Sequence, residues 1–439
     1  MEIRIPEQKP QEDPNKNFLH STTARIIMVG VLTLVLLIPL QYVKNLIFER
    51  SQLQRHVEKT VSDQWGGNVY VYGPVLKIPY KNLKENGATS YAYFFPEKLD
   101  INADARSESK ERGMYKAAVF NAGIKFRGTY TTPNFSRSGI APENIDWERA
   151  TIQLHTGNLK GIKGAVAINF NGKRYNFEPA EKENVNDSTV ALETRPFNIV
   201  EALSGGEVPF SLDVSYNGSK SLAIVPIGKL TETKMTSNWK TPRFGGNFSP
   251  EKENISNSGF TANWKISHLN RPFAQQHFGS LPDLKAYSFD VNFLIPVNEY
   301  QQNERAAKYG FLVIGLTFLI FFLIQGLSKI SIHIFQYIMI GLALIMFYTL
   351  LISITEHSSF RFAYIVAGLA VIVMISLYSI SILKDRKFPM FIAAALTALY
   401  TFIYIIIQLE DYALLAGSIG LFLILGAVMY FSRRIDWNK

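Results

Sequence analysis

The chain has 439 residues, of which 47% are apolar and only 18% charged, too apolar for a soluble protein once its polar middle is set aside. The formal charge of +9 carries no basic stripe in either the polar middle or the apolar remainder, so a nucleic-acid-binding role is excluded. There is no cysteine, which excludes disulfides, thiolate zinc sites and thiol nucleophiles without deciding the redox compartment.

A polar leader, residues 1–25, precedes the first apolar segment, 26–43. That segment ends Leu36-Leu37-Ile38-Pro39-Leu40-Gln41-Tyr42-Val43-Lys44, with no small-residue cleavage pattern, and reads as an uncleaved anchor rather than a secretory signal. Beyond it Leu46, Ile47, Leu53, Val57 and Val61 recur at helical spacing, which predicts that the anchor helix runs on until Trp65-Gly66-Gly67 stops it.

From there the periodicity shortens to two. Val69–Tyr72, Leu76–Ile78, Tyr91–Phe95, Ala165–Phe170, Ser211–Tyr216 and Ser288–Phe293 read as strands. Asn171-Gly172 and Asn217-Gly218 are the dipeptides that take positive φ in tight hairpins, so each predicts a turn. Residues 44–306 therefore read as one largely antiparallel, sandwich-like β domain with few helices.

Five further apolar segments follow, at 307–327, 334–355, 362–383, 388–409 and 412–431, with a short tail at 432–439. At ~1.5 Å rise per residue each is long enough for a hydrocarbon core of ~30 Å. The fold class is a polytopic α-helical membrane protein of six transmembrane helices with a β-rich, sandwich-like extracytoplasmic domain between the first and second. Arg4, Lys9, Lys16, Arg25, Lys329, Lys384, Arg386, Lys387, Arg433, Arg434 and Lys439 all fall on one side of six crossings, whereas the opposite short connections hold only Arg361. By the positive-inside rule both termini are cytoplasmic and residues 44–306 face outward.

Walker, zincin, nucleophile-elbow and dinucleotide motifs are missing from the sequence, and the seven histidines form no close ligand pair. The chain thus reads as a non-enzyme that takes no cofactor. The sharper candidates are ionisable residues at the outer helix ends: Glu356, His357, Arg361, Gln408, Glu410 and Asp411. Charge inside hydrocarbon is expensive, so such groups pair, face water or serve a pathway. One reading places them at the headgroup level, with Glu356 and Arg361 as an interfacial pair. Others make them a seat for the outer domain, a partner or a lipid, or a proton or ion relay. Gln325 reads as an interfacial or interhelical hydrogen-bonding group, and Tyr364, Tyr400 and Tyr404 as packing or interface residues. In the β domain, Trp239 and Phe244 mark a glycine- and aromatic-containing loop, read either as core packing or as a carbohydrate-binding surface.

Several blocks in order resemble the CreD family of inner-membrane proteins. They include Gly73-Pro74-Val75-Leu76, Phe95-Pro96-Glu97-Lys98-Leu99, Ser237-Asn238-Trp239 and Pro296-Val297-Asn298-Glu299-Tyr300. In the membrane region they include His333 with Gln336-Tyr337, Ser353 with Glu356-His357, Gln408-Leu409-Glu410-Asp411-Tyr412, and Arg433-Arg434-Ile435-Asp436-Trp437. Three positions depart from the family pattern: Gln325 stands where an acid is usual, Asn158 where an aspartate is, and Ser249 where a leucine is. The resemblance implies a bacterial inner-membrane location and an association with envelope integrity, envelope-stress regulation and tolerance of colicins and β-lactams. The partners expected are the lipid bilayer and an envelope protein or membrane sensor kinase; the rival reading is a transporter or lipid-handling protein using the outer-face carboxylates.

Overall fold

The computed structural model describes residues 22–433 apart from 84–86, 114, 137, 181–188, 204–205, 294–298, 329–331, 384–386 and 410–411. Residues 1–21 of the leader, Lys329, Lys384, Arg386, Glu410, Asp411 and the final six residues therefore lie outside the described residues. The chain divides into two compact units, one of residues 1–54 with 297–439 and one of residues 55–296.

Helix α1 (Thr22–Trp65) is continuous, as its apolar spacing predicts. Its last turns lie in the β unit, where Val57, Val61 and Trp65 pack on Ala117 and Val119. Gly66 and Gly67 stop it at φ +111° and +69°. A Cβ on Gly66 would sit 2.5 Å from the Asn217 carbonyl oxygen, so the stop requires glycine on two counts.

Among the described residues the β unit is a sheet of sixteen strands. They are β1 (Val69–Asn82), β2 (Ala88–Phe94), β3 (Lys98–Arg112), β4 (Tyr115–Tyr130), β5 (Thr151–Thr156), β6 (Ile162–Phe170), β7 (Lys173–Pro179) and β8 (Val190–Thr194). The second half comprises β9 (Val208–Ser219), β10 (Ser221–Ile224), β11 (Leu230–Ser237), β12 (Arg243–Gly246), β13 (Lys252–Ser256), β14 (Gly259–Ser267), β15 (Gln276–Phe278) and β16 (Phe289–Asn292). The pairing path runs β12-β16-β10-β1-β5-β8-β7-β6-β9-β4-β3-β11-β14-β13, with β2 on β1 and β15 on β2. β7 hydrogen-bonds β8 on one side and β6 on the other, and so joins the two halves. The halves close on one core: Trp264 of β14 stacks on Phe289 of β16 at 4.7 Å, and Phe120 of β4 meets Phe293 at 4.7 Å. This is the sandwich that the alternating runs imply. Pairing is antiparallel except for β1 with β10 and β3 with β11.

The two apolar runs from Val69 to Ile78 are one strand, with a register shift between Tyr72 and Val75. Asn171-Gly172 forms the expected hairpin between β6 and β7, at φ +49° and +78°. Asn217-Gly218 does not turn. It lies inside β9, where a Cβ on Gly218 would meet the Phe120 ring at 2.4 Å and Val69 at 2.5 Å. That glycine serves close packing rather than positive φ.

The membrane unit holds α2 (Glu299–Lys308), α3 (Gly310–Ser328), α4 (Ile334–Thr355), α5 (Phe360–Leu383), α6 (Lys387–Gln408) and α7 (Ala413–Ser432). Among the described residues five helices, α1 and α4 to α7, are long and apolar enough to cross a membrane. α2 and α3 meet at a 42° bend inside 307–327, which the sequence reads as one straight segment, and the count is six where that bent pair is taken as one span. Leu36 and Leu40 are buried along α1. They sit where Gly341 of α4 and Gly310 of α3 leave room: a Cβ there would lie 2.2 Å and 2.8 Å from the leucine methyls.

Candidate functional site

Glu356 caps the C-terminus of α4, and its backbone N–H donates to the Ile352 carbonyl at 3.1 Å. A carboxylate there faces the negative end of the helix dipole, which disfavours it unless a cation is near. Arg50 of α1 supplies the cation, with Nε 3.4 Å from Glu356 Oε1. Glu356 is thus paired with Arg50 rather than with Arg361, which is exposed, as are His357 and Gln408. Glu410 and Asp411 lie outside the described residues.

A second cation treats a second helix end: Arg305 Nη1 of α2 donates to the Ile407 carbonyl, near the last turn of α6, at 3.4 Å. On the same short helix Asn303 is fully buried. Its Nδ2 donates to the Glu299 carbonyl at 2.9 Å, and its Oδ1 meets no donor among the described residues.

Phe347 packs against Tyr348, Tyr364 and Tyr400 at ring separations of 4.9, 5.2 and 4.6 Å. Tyr364 donates its hydroxyl to the Tyr400 carbonyl at 2.8 Å, which ties α5 to α6. These tyrosines form a packed aromatic layer between helices. Gln325 is interhelical: Tyr337 of α4 donates to its Oε1 at 3.0 Å, and both residues are buried.

In the β domain, Trp239 is half-buried against Phe293 at 6.3 Å, and Phe244 of β12 meets Phe260 and Trp264 edge-on at 5.6 and 5.9 Å. Both rings are turned into the core cluster.

Two arrangements in this domain escape a linear reading. The first joins β1, β5 and β8. Lys77 Nζ lies 3.2 Å from Glu193 Oε1, Thr151 donates to the same oxygen, and Gln153 Nε2 donates to Oε2 at 3.3 Å. The Gln153 Oε1 lies 3.1 Å from His155 Nε2, and the His155 ring stacks on Tyr72 at 4.5 Å. With its oxygens held by three donors, Glu193 serves as a structural knot among buried strands. The only hint in the sequence is a lysine between Leu76 and Ile78; its partner lies on a distant strand.

The second arrangement lies on the outward face of β4, β3, β11, β14 and β13, around a groove of about 760 Å³. Cross-strand register aligns Lys265, Glu232, Asp100 and Arg127 in one row. Lys265 closes on Glu232 at 2.7 Å, and Arg127 reaches Asp213 at 3.2 Å. Burial, and then the charge of Glu232 beside it, raise the Asp100 carboxyl above its ordinary range against the pull of Lys98. The adjoining row reads Lys252, Asn263, Lys234, Asn102, Lys125, a cation on every second strand. All three lysines are exposed. The sequence reading found no basic stripe because these lysines come from three separated strands; the sheet register assembles one.

A family model described as "Inner membrane protein CreD" matches residues 21–438. The Inner membrane protein CreD of Escherichia coli (strain K12) is 30% identical over 422 residues, covering 92% of this chain and 91% of the relative.

Proposed function

The chain belongs to the CreD family of inner membrane proteins, and from that premise we propose that it is a non-enzymatic envelope-integrity protein whose β domain docks an envelope partner. The observation that carries this reading is the row of Lys252, Lys234 and Lys125, separated by Asn263 and Asn102, beside the groove of about 760 Å³. Neighbouring strands lie ~4.8 Å apart, so cations on alternate strands repeat at about 10 Å. With asparagine amides between them, they suit an extended partner that presents carboxylates or phosphates across the sheet. The groove lining sets five cations, Lys125, Arg127, Lys234, Lys252 and Lys265, against three carboxylates, Asp100, Glu232 and Glu251, and Glu232 already holds Lys265. The lysine row therefore sets the sign of the partner.

In this reading the membrane unit anchors the domain, with both termini cytoplasmic and the β domain periplasmic. The bias of cationic residues to one side of the spans supports that orientation. Glu356, His357, Arg361, Gln408, Glu410 and Asp411 belong to the helix ends at the headgroup level, and the Arg50–Glu356 pair supports a structural part for the first of them. A photo-crosslinking residue placed at Lys125 or Lys252 in the full chain, in cells, gives a discrete adduct that Lys234→Glu removes. No adduct from either position, or an adduct indifferent to Lys234→Glu, overturns the proposal. Complementation of an envelope-stress phenotype by Glu356→Gln at normal membrane level places the function outside that carboxylate.

A further inference from the structure

The lysine row of the β domain has a spacing as well as a charge. Lys252 of β13, Lys234 of β11 and Lys125 of β4 occupy alternate strands along one register line, with Asn263 of β14 and Asn102 of β3 between them. Strands ~4.8 Å apart set neighbouring lysines ~9.6 Å from one another and the outer two ~19 Å apart. Among the described residues no ion pair or hydrogen bond engages any of the three ammoniums or either asparagine side chain. Asp213 of β9, in register with Lys125, is held instead by Arg127 at 3.2 Å. The acids of the groove gather around Lys265: Asp100 and Glu232 stand in its row, Glu232 closes on it at 2.7 Å, and Glu251 also acts on it. The sheet thus presents cations at fixed intervals with amides in the gaps.

Resting on the docking role of this face, we propose that the segment it receives is a polypeptide in the polyproline II conformation with an acidic residue at every third position. That helix has three residues per turn and rises ~3.1 Å per residue, so every third side chain returns to the same face after ~9.3 Å. Two such repeats cover ~19 Å, which matches the lysines over both intervals. A β-strand does not match, because its same-face side chains recur at ~6.7 Å and then ~13 Å. An α-helix brings a side chain back to one face after about seven residues, at ~10.5 Å, but its backbone groups are bonded to one another. The asparagines favour the open backbone. A carboxamide both donates and accepts, and polyproline II leaves its peptide N–H and C=O groups free of internal bonds. Asn263 and Asn102 therefore meet the residues that separate successive acids. A chain of phosphates offers the lysines charge but gives the asparagine carbonyl oxygens nothing to accept.

The test is fluorescence anisotropy of labelled peptides titrated at low salt with the full chain in mild detergent. A Glu-Pro-Ala repeat is compared with an isomer of the same composition in which all the glutamates form one block. The repeat binds more tightly by about fivefold, the gain from two further lysines engaged at the strength of exposed ion pairs. Lys234→Gln, a change at an exposed side chain, brings the two peptides within about twofold of each other. Asn102→Ala with Asn263→Ala weakens the repeat more than the isomer. Equal affinities in the wild type, or a preference that survives Lys234→Gln, overturns the spacing. The docking role is read separately, by the in-cell adduct that Lys234→Glu removes: an adduct without a preference between the peptides sinks this inference alone, and loss of both sinks the docking role with it. Sodium polyphosphate that displaces the repeat at a lower concentration of charge than the free repeat does marks a phosphate partner and likewise overturns the proposal.

Discussion

Arg50 of α1 and Glu356 at the end of α4 form an ion pair at 3.4 Å, joining the first membrane helix to the C-terminal helices. The Arg50 side chain is 38% exposed and that of Glu356 16%, so solvent screens part of the attraction. The expected coupling from a double-mutant cycle of Arg50→Gln and Glu356→Gln is about 0.5–1 kcal/mol. Thermal unfolding of the four proteins in detergent measures it. The charge swap Arg50→Glu with Glu356→Arg recovers most of the loss and also places a cation at the α4 C-terminus, where the dipole favours it. Additive single losses would show that Glu356 gains nothing from Arg50.

Gly172 and Gly218 follow asparagine alike but do different work, and their substitutions separate the two. Gly172 sits at φ +78° in open space, so Gly172→Ala costs about 1 kcal/mol through backbone strain alone. At Gly218 the backbone is extended, and a methyl group must displace the Phe120 ring and Val69, at about 1–3 kcal/mol. Denaturant unfolding of the full chain followed through β-domain tryptophan fluorescence ranks the two variants. Gly172→Asn is tolerated because asparagine accepts positive φ, whereas Gly218→Asn is worse than Gly218→Ala because its bulk is larger.

The same pair shows what a linear reading can reach. Apolar runs of membrane length, the helical stripe Val57–Val61 and the alternation in β9 and β16 are local patterns, and each is legible because burial repeats with the period of its own element. Asn217-Gly218 defeats the reading because the atoms that exclude a side chain come from β1 and β4. Three further features are hidden for the same reason. Glu356 stands near Arg361 in the chain but pairs with Arg50, the Glu193 knot draws on three strands, and the lysine row needs the registers of five. The bend between Lys308 and Gly310 is hidden too, since the apolar run begins at Ala307 and masks the short polar helix ahead of it.

His277 of β15 gives the β domain a pH dependence. Burial lowers its pKa below the ordinary ~6.5, and the charge of Arg271 pushes the same way, against a hydrogen bond to the Ala274 backbone. Arg271 is itself pushed down to about 10 by burial and stays charged. A histidine kept neutral by the fold binds fewer protons in the folded state than in the unfolded one. Its contribution is present above about pH 6.5 and is lost as pH falls through the lower folded value. Chemical denaturation between pH 7.5 and 5 is expected to show stability falling toward acid, and His277→Gln to flatten part of that slope. An unchanged slope would place the titration elsewhere.

Gln325 stands where the family resemblance implies an acid, and its neighbour shows what neutrality allows. Tyr337 donates to Gln325 Oε1 at 3.0 Å with both side chains buried, tying α3 to α4. Tyr337→Phe removes the donor and leaves the amide oxygen unpaired, at about 0.6–1.7 kcal/mol for a hydrogen bond between membrane helices. Gln325→Leu orphans the tyrosine hydroxyl instead and costs a similar amount, while the double variant, with both polar groups gone, is less destabilised than the sum because nothing is left unsatisfied. Gln325→Glu keeps the acceptor. Its extra cost over the wild type measures how strongly this site resists charge, and thermal unfolding in detergent at neutral and mildly acidic pH reads it: if the glutamate is tolerated only when protonated, the variant gains stability toward acid, and a flat profile would mean that a cation or water reaches the site.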